Sequence, residues 1–277
     1  MRILCCLNRD LASSLALNLL LSQIAEHEVR IAITEGVGGT SADEPEQRRE
    51  LRIAEQVIPN QLFAPLIEKA RLDPDNGRFL TFSEVQEFRR VPVHVIQKPN
   101  EGSGLQFIRG FAPDIVVSIR YGAILKEPVL SVPRLGILNL HSGLLPRYRG
   151  VLATFRALLN GDAEIGCTLH YIDDSKIDTG DIVSSCRVPV IAGQSLLRHV
   201  LRLYPPGVAT LCATLRSLAA GEPIPRRRQQ PDEGNYFSYP TTEEWREFCR
   251  RGWAVALPSD LQDALSRYIE PDGIGSV

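Results

Sequence analysis

Short apolar runs alternate with longer amphipathic segments through residues 1–190. Strands are predicted at residues 2–7, 29–35, 91–97, 114–120, 136–142, 164–173 and 181–190. Helices are predicted at residues 11–27, 104–111, 123–130 and 153–159, and a long helix at 194–221 is expected to be interrupted at Pro205 and Pro206. Largely apolar strands separated by helices are typical of a parallel sheet covered on both faces. The pattern predicts a Rossmann-like, doubly wound α/β fold with a mostly parallel sheet.

Two segments depart from this alternation. Residues 36–90 separate the second predicted strand from the third. Connections between a strand and the next element in such folds usually span only about 2 to 6 residues. Charged, helix-forming runs occupy much of this stretch, so we expect a helical insertion that shapes a substrate pocket. The catalytic domain is expected to span residues 1–221, and residues 222–277 are expected to form a short C-terminal extension. Within it, Thr241 and Glu244 have the spacing of a capping box.

Charge and composition narrow the classes of partner and compartment. A formal charge of −2 over 277 residues provides no overall attraction to nucleic acid or to an anionic membrane. The sequence contains neither a signal-peptide pattern nor a run approaching 18 apolar residues, so a cytoplasmic protein is expected. Its 6 cysteines form no C-x-x-C pair and no Cys/His spacing that suits zinc, so no metal is expected.

The sequence GILNLHSGLLPRYRG at residues 136–150 places polar side chains near the end of a predicted strand. Side chains alternate faces along a strand, so Asn139 and His141 point the same way while Leu140 points to the opposite layer. Asp178 follows the next predicted strand, and ligands of open α/β sheets bind outside the carboxyl ends of strands. An amide, an imidazole and a carboxylate at neighbouring strand ends suit acid/base chemistry and oxyanion stabilisation.

A more specific interpretation comes from the two motifs taken together. The pattern N-x-H-x-G-x-L-P-x-x-R-G from Asn139, followed by I-D-T-G-D-I from Ile177, resembles the formyltransferases that use N10-formyltetrahydrofolate. Members of that family formylate glycinamide ribonucleotide, methionyl-tRNA, amino sugars or the hydroxyornithine of siderophores. The resemblance covers residues 1–8 and 91–221. Taken singly, the three polar residues could be a strand cap, a structural histidine and a turn residue, but their order favours catalysis.

The resemblance implies a role for each of the three residues. Asn139 and a protonated His141 would donate hydrogen bonds to the oxyanion that forms when an amine attacks the formyl carbon. Asp178 would keep His141 charged and accept the proton of the nucleophile, directly or through a water.

The resemblance also implies a folate site beside this triad. The loop between His170 and Asp178 is one residue longer than in most relatives, because Ser175 and Lys176 replace a single glycine, which makes the correspondence there less direct. The expected folate contacts are Tyr121, Gly122, Ala123, Ile124, Leu125, Ile172, Asp173, Asp174 and Ile177.

The acceptor amine is left open by the resemblance. The small glycine/asparagine/serine phosphate loop of glycinamide ribonucleotide enzymes is missing after the first strand, where the chain reads LNRDLASSLA. The C-terminal segment is short for the β-barrel of methionyl-tRNA enzymes, and the chain is slightly acidic, which disfavours tRNA. We therefore expect folate and a small-molecule amine as partners, with no nucleic acid and no membrane; the oligomeric state stays open.

Two acceptors remain. N5-hydroxyornithine of a hydroxamate siderophore pathway is consistent with the large insertion and is the first expectation. A nucleotide-linked amino sugar is the alternative, because Tyr236, Phe237 and Tyr239 could stack on a base. Two other interpretations of the whole chain are a formyltetrahydrofolate hydrolase and a non-catalytic folate-binding domain.

Overall fold

The structure is a computed structural model that describes residues 1–36, 44–230 and 233–270. Residues 37–43 of the predicted insertion lie outside the described residues. The strands are β1 (Arg2–Asn8), β2 (Glu28–Thr34), β3 (Val93–Val95), β4 (Ile115–Ile119), β5 (Ile137–His141), β6 (Tyr148–Gly150), β7 (Glu164–Tyr171), β8 (Ile182–Pro189) and β9 (Asn235–Phe237).

The described strands form a large sheet in the order β3-β2-β1-β4-β5-β7-β8 and a small sheet of β6 and β9. Neighbouring strands from β3 to β5 run parallel, whereas β7 and β8 are antiparallel to their neighbours. The predicted mostly parallel, Rossmann-like α/β fold is therefore confirmed.

Helices cover the sheet and build the two additional segments. They are α1 (Leu11–Leu21), α2 (Glu46–Arg52), a π-helix (Ile53–Phe63), α3 (Ala64–Ala70), α4 (Phe82–Phe88), α5 (Gly102–Phe111), α6 (Ala153–Asn160), α7 (Leu196–Ala219), α8 (Thr242–Arg250) and α9 (Pro258–Ser266). Among the residues that the structure describes, none of these helices combines the length and apolar character needed to cross a membrane. The cytoplasmic location stays a prediction.

Strand β1 shows how the sheet is covered on both faces. Ile3, Cys5 and Leu7 belong to the larger apolar core, which also contains residues of α1 and α7. Leu4 and Cys6 belong to the smaller core with residues of α5. Because side chains alternate along a strand, a sheet buried on both faces needs apolar residues at consecutive positions, as β1 has.

The predicted interruption of the long helix is wrong, because α7 runs without a break through Pro205 and Pro206. Each proline removes one helical hydrogen bond. The flanking residues Tyr204, Gly207 and Val208 are nevertheless buried. A β-carbon on Gly207 would lie 3.2 Å from Cys167 Sγ, so the helix packs closely on β7 at this point. Tertiary burial thus outweighs the unfavourable helix propensity of proline.

The predicted helix at 123–130 is also wrong, since these residues, all of them described, form bends and turns. The Asn100 carboxamide donates to Ile124 O at 2.8 Å and accepts from Lys126 N at 2.7 Å. A helix would need the Lys126 N–H internally, whereas Ile124 O would have no helical donor because Pro128 lacks an N–H. Pro128 and the distant side chain of Asn100 together exclude the predicted helix.

Two other elements are shorter than predicted. Helix α1 ends at Leu21 rather than near residue 27, because the chain turns and Glu28 N donates to Met1 O at 3.0 Å as β2 begins. Strand β3 covers three residues of the predicted 91–97. Its main-chain pairing with β2 continues at both ends, through Pro92 O and Ile96 N.

The insertion and the C-terminal extension both pack on the sheet domain. Asn60 of the π-helix donates to Arg9 O at 2.9 Å, and Tyr268 Oη donates to Ser14 Oγ at 2.8 Å. The predicted capping box is present, because Thr241 and Glu244 exchange side-chain to main-chain hydrogen bonds at the start of α8. The domain limits at 221 and 222 stay a prediction.

Candidate active site

The end of β5 presents Asn139 and His141 on one side of the strand, while Leu140 is buried in the larger core. Antiparallel pairing with β7 brings His170 opposite Asn139. Asn139 Nδ2 lies 3.0 Å from His170 Nε2. The alternation predicted from the sequence therefore holds, and the sheet adds a second histidine.

Asp178 lies in the loop after β7, beside both histidines. Its Oδ2 accepts from Gly150 N at 2.8 Å and lies 3.5 Å from His141 Nδ1. Its Oδ1 lies 3.4 Å from His170 Nε2 and 3.5 Å from Asn139 Nδ2. The structure thus brings together the three residues predicted to be catalytic.

The imidazole of His141 lies between Tyr148 and Asp178. Its Nε2 lies 2.7 Å from Tyr148 O, which can only accept, so this nitrogen carries a proton. Its Nδ1 faces Asp178, and a protonated ring donates at both positions. Both ring nitrogens of His141 thus face protein groups, and the predicted donation to an oxyanion stays a prediction.

Asp178 is strongly stabilised as a carboxylate. Burial by itself raises the pKa of Asp178, but the charge of His141 and the hydrogen bond and charge of His170 outweigh burial and lower this pKa to about 2. A carboxylate with so low a pKa is a weak proton acceptor. The proton-accepting role of Asp178 stays a prediction.

Gln229 of the C-terminal extension supports the Asp178 loop and is not among the residues predicted from the sequence. Its Nε2 donates to Asp178 O at 3.0 Å and to Gly180 O at 2.7 Å. Asp178 has a left-handed φ of 58°, which is costly for a non-glycine residue. No local motif marks Gln229, because its partners lie about fifty positions earlier in the chain.

The predicted folate residues differ in their surroundings. Tyr121 lines the cavity described below and donates to Ile96 O at 2.6 Å. Gly122 donates its N–H to Thr34 Oγ1, and Leu125 is 3% exposed in the smaller core, so its side chain is a packing residue. Ala123 and Ile172 are half-buried, and the exposed members are Ile124, Asp173, Asp174 and Ile177.

A cavity of about 250 Å³ lies above the ends of β4 and β5. Asn139, His141 and Asp178 line one part of it. Another part of the cavity is lined by Tyr239 of the extension and by six residues of the insertion. These six are Glu44, Arg48, Leu51, Arg52, Glu55 and Gln56. The insertion therefore borders the predicted catalytic residues, as expected. Among the residues described, no group of three or more His, Cys, Asp or Glu side chains is placed to hold a metal ion.

Comparisons with known proteins agree with this arrangement. The sequence pattern of the family described as formyl transferase matches residues 96–211. The methionyl-tRNA formyltransferase of Halorhodospira halophila (strain DSM 244 / SL1) is 39% identical over 140 residues, which are 50% of this chain and 44% of the relative. The chain thus matches less than half the length of this curated relative.

Two solved structures share the fold at low sequence identity. The N-formyltransferase from Helicobacter canadensis, in complex with folinic acid and dTDP-3-aminofucose, has a TM-score of 0.54 at 16% identity, covering 86% of this chain and 71% of that one. A sugar N-formyltransferase from Shewanella sp. FDAARGOS_354 has a TM-score of 0.55 at 16% identity, covering 98% and 89%. Residues 96–211 of this chain therefore match a formyl transferase domain.

Proposed function

We propose that this chain is an N-formyltransferase that moves a formyl group from N10-formyltetrahydrofolate to an amine of a small biosynthetic acceptor. The observation that carries the proposal is the convergence of Asn139, His141 and Asp178 on one cavity at the carboxyl ends of the parallel strands. The match of residues 96–211 to the formyl transferase family supports the same reaction.

Asn139 is the proposed donor to the oxyanion. In the structure its Nδ2 points to His170 and Asp178. When His170 is protonated on both nitrogens, it can instead donate to the amide oxygen of Asn139, and the amide then turns its nitrogen to the cavity. His170 already directs Nδ1 to Tyr171 O at 2.8 Å, so Nε2 is the nitrogen that controls this orientation.

Asp178 is the proposed electrostatic partner of the attacking amine. The nitrogen becomes positive as it bonds to the formyl carbon, and a fixed carboxylate stabilises that charge in a cavity of low dielectric. His141 holds the carboxylate in place, and the excess proton leaves through an ordered water rather than on Asp178 itself. The carbon–nitrogen bond to the folate N10 then breaks, and the folate nitrogen is reprotonated.

The folate is proposed to bind beside Tyr121. Ile124 and Ile177 are 48% and 37% exposed, and apolar side chains of this kind suit the flat pterin ring. Asp173 and Asp174 are also exposed and remain proposed contacts.

The favoured acceptor is N5-hydroxyornithine in siderophore assembly, which is consistent with a cavity bordered by a large insertion. A nucleotide-linked amino sugar is the alternative, because Tyr239 lines the same cavity. The name of the Halorhodospira relative adds methionyl-tRNA to the acceptors that need testing.

The deciding experiment is a turnover assay with N10-formyltetrahydrofolate and each acceptor in turn. Release of tetrahydrofolate that depends on an amine, together with a formylated product detected by mass spectrometry, is the expected result. Formate release without any amine would instead identify a hydrolase. Absence of both reactions with every acceptor would contradict the proposed function.

A further inference from the structure

Ser118 on β4 is a polar residue of the cavity that the proposed mechanism does not use. It lines the cavity together with Asn139, His141 and Asp178. Two positions earlier on the same strand, Val116 belongs to the smaller apolar core. Because side chains alternate along a strand, Val116 and Ser118 share one face. Ser118 therefore lies where this face of β4 leaves the apolar core and meets the cavity.

The sheet places Ser118 directly beside Asn139. The two residues are partners in the parallel pairing of β4 with β5. Side chains of paired residues point to the same face, and neighbouring strands lie about 4.8 Å apart. Both side chains are short, so a single ligand oxygen atom above the two strands can lie about 3 Å from the hydroxyl and from the amide at the same time.

The hydroxyl of Ser118 is available to a ligand. Within residues 1–36, 44–230 and 233–270, no protein atom forms a hydrogen bond with it. On the side of β1, Ser118 is paired with Cys6, which belongs to the smaller apolar core and offers no strong polar partner. Ser118 is only 6% exposed, and a buried hydroxyl without a hydrogen bond costs free energy. A ligand acceptor atom in the cavity would remove that cost.

The other polar groups around Asn139 already face protein partners. On the side of β7, Asn139 Nδ2 lies 3.0 Å from His170 Nε2 and 3.5 Å from Asp178 Oδ1. His141 directs both of its ring nitrogens to protein groups. Ser118 lies on the opposite side of Asn139, towards β4, so its hydroxyl does not compete with these contacts.

We propose that Ser118 is a further catalytic residue, whose hydroxyl donates a hydrogen bond to the formyl oxygen of the folate beside Asn139. This inference rests on the proposed function and adds a second donor to it. As the amine bonds to the formyl carbon, the carbonyl electron pair moves to this oxygen, and the hydrogen bond strengthens while the hydroxyl keeps its proton. The negative charge disappears when the carbonyl re-forms and the carbon–nitrogen bond to N10 breaks.

The first test measures turnover in variants that differ in the hydroxyl. Ser118→Ala is expected to lower kcat about tenfold or more with a smaller change in KM, because the lost hydrogen bond is strongest in the transition state. Ser118→Thr keeps the hydroxyl and should retain most of the activity, whereas Ser118→Val has nearly the same shape without the hydroxyl and should not. Unchanged kcat in Ser118→Ala would overturn the inference.

Ser184→Ala is the matched control for this substitution. Ser184 is a half-buried serine on β8, the last strand of the large sheet. Its replacement should leave kcat and KM unchanged. Thermal unfolding of every variant checks that it is folded, and the comparison of Ser118→Thr with Ser118→Val decides the question if Ser118→Ala does not fold.

The second test measures binding and needs no acceptor. One probe is a folate aldehyde in which carbon replaces N10, because its hydrated form has the tetrahedral geometry of the intermediate. The other probe is the same compound without the formyl group. Ser118→Ala is expected to raise Kd for the aldehyde about tenfold and to leave Kd for the second compound unchanged, as measured by calorimetry. An equal change for both compounds, or no change for either, would overturn the inference.

The two tests also distinguish failure of this inference from failure of the proposed function. If the parent protein binds the aldehyde and formylates an amine, and Ser118→Ala behaves like the parent, the role of Ser118 alone is overturned. If the parent neither binds the aldehyde nor releases tetrahydrofolate, the proposed function is overturned and the inference with it.

Discussion

The carboxamide of Gln229 donates a hydrogen bond to the main-chain oxygen of Asp178, 3.0 Å away. The same nitrogen donates to Gly180 O at 2.7 Å, so one side chain of the C-terminal extension holds both ends of the left-handed turn. Gln229 is buried, and its amide cannot be reversed because its oxygen would then face two carbonyl oxygens. The extension thus contributes directly to the position of the proposed catalytic carboxylate.

Replacing Gln229 with Ala should therefore lower kcat more than it raises KM. We expect a loss of about tenfold in kcat, the effect of losing buried hydrogen bonds worth about 1 to 2 kcal/mol. Steady-state kinetics would measure this loss. Gln230→Ala is the control, since Gln230 is exposed. Equal kinetics in the two variants would contradict the positioning role.

Substitution of the proposed catalytic residues should abolish most of the activity without unfolding the protein. Asn139→Ala and Asp178→Asn are each expected to lower kcat by about 10²–10³, the usual effect of removing a group that stabilises transition-state charge. His141→Ala is expected to lower kcat by a similar factor, because Asp178 would lose the imidazole that pairs with its carboxylate. His94→Ala is the control, because His94 is exposed on β3. Near-normal turnover in any of the three variants would refute its assigned role.

The low pKa of Asp178 predicts how the stability of the protein depends on pH. The folded-state pKa of about 2 lies below the ordinary value of 3.8, so the stabilisation is present above pH 4 and is lost as the pH falls towards 2. The shift corresponds to about 2 kcal/mol. Urea unfolding at pH 6 and at pH 2.5 should show that Asp178→Asn is less stable than the parent at pH 6 by about this amount, with a smaller difference at pH 2.5. A difference independent of pH would contradict the ion-pair arrangement.

Gly180 should tolerate no side chain. A β-carbon at this position would lie 1.9 Å from Tyr171 O, a main-chain atom of β7 that has little room to move. We expect Gly180→Ala to destabilise the fold by about 2 kcal/mol and to displace Asp178, measured as a lower Tm and a lower kcat. Gly110→Ala is the matched control, since a β-carbon there has nothing within 4 Å, and helix α5 should gain stability from alanine.

Much of the fold followed from local pattern. The apolar runs that became β1, β2, β4, β5 and β7 are largely buried, because strands inside a sheet covered on both faces have no polar face to expose. The alternation at Asn139, Leu140 and His141 correctly placed the two polar side chains together, since it depends only on strand geometry. The motif identified Asp178, but the expected meeting of strand ends was wrong. Strand β7 runs antiparallel to β5, so the loop after β7 has to return Asp178 to Asn139 and His141.

The helix predictions were wrong where contacts with distant residues outweigh the local conformational preference of the chain. Burial of Tyr204 and Gly207 keeps α7 continuous through two prolines, and the side chain of Asn100 helps to exclude a helix after Tyr121. Neither contact is visible in a window of sequence, because both join segments that meet only after folding.

The sequence by itself determined the layered α/β fold and the identity of the amide, imidazole and carboxylate groups, because periodicity and motif spacing are local properties. Only the tertiary structure decided how these groups act. It directs both nitrogens of His141 to protein partners, places His170 beside Asn139, and brings Gln229 of the extension to the main chain of Asp178. These relationships depend on three-dimensional distances between residues far apart in the chain, and such distances set hydrogen bonds and pKa values.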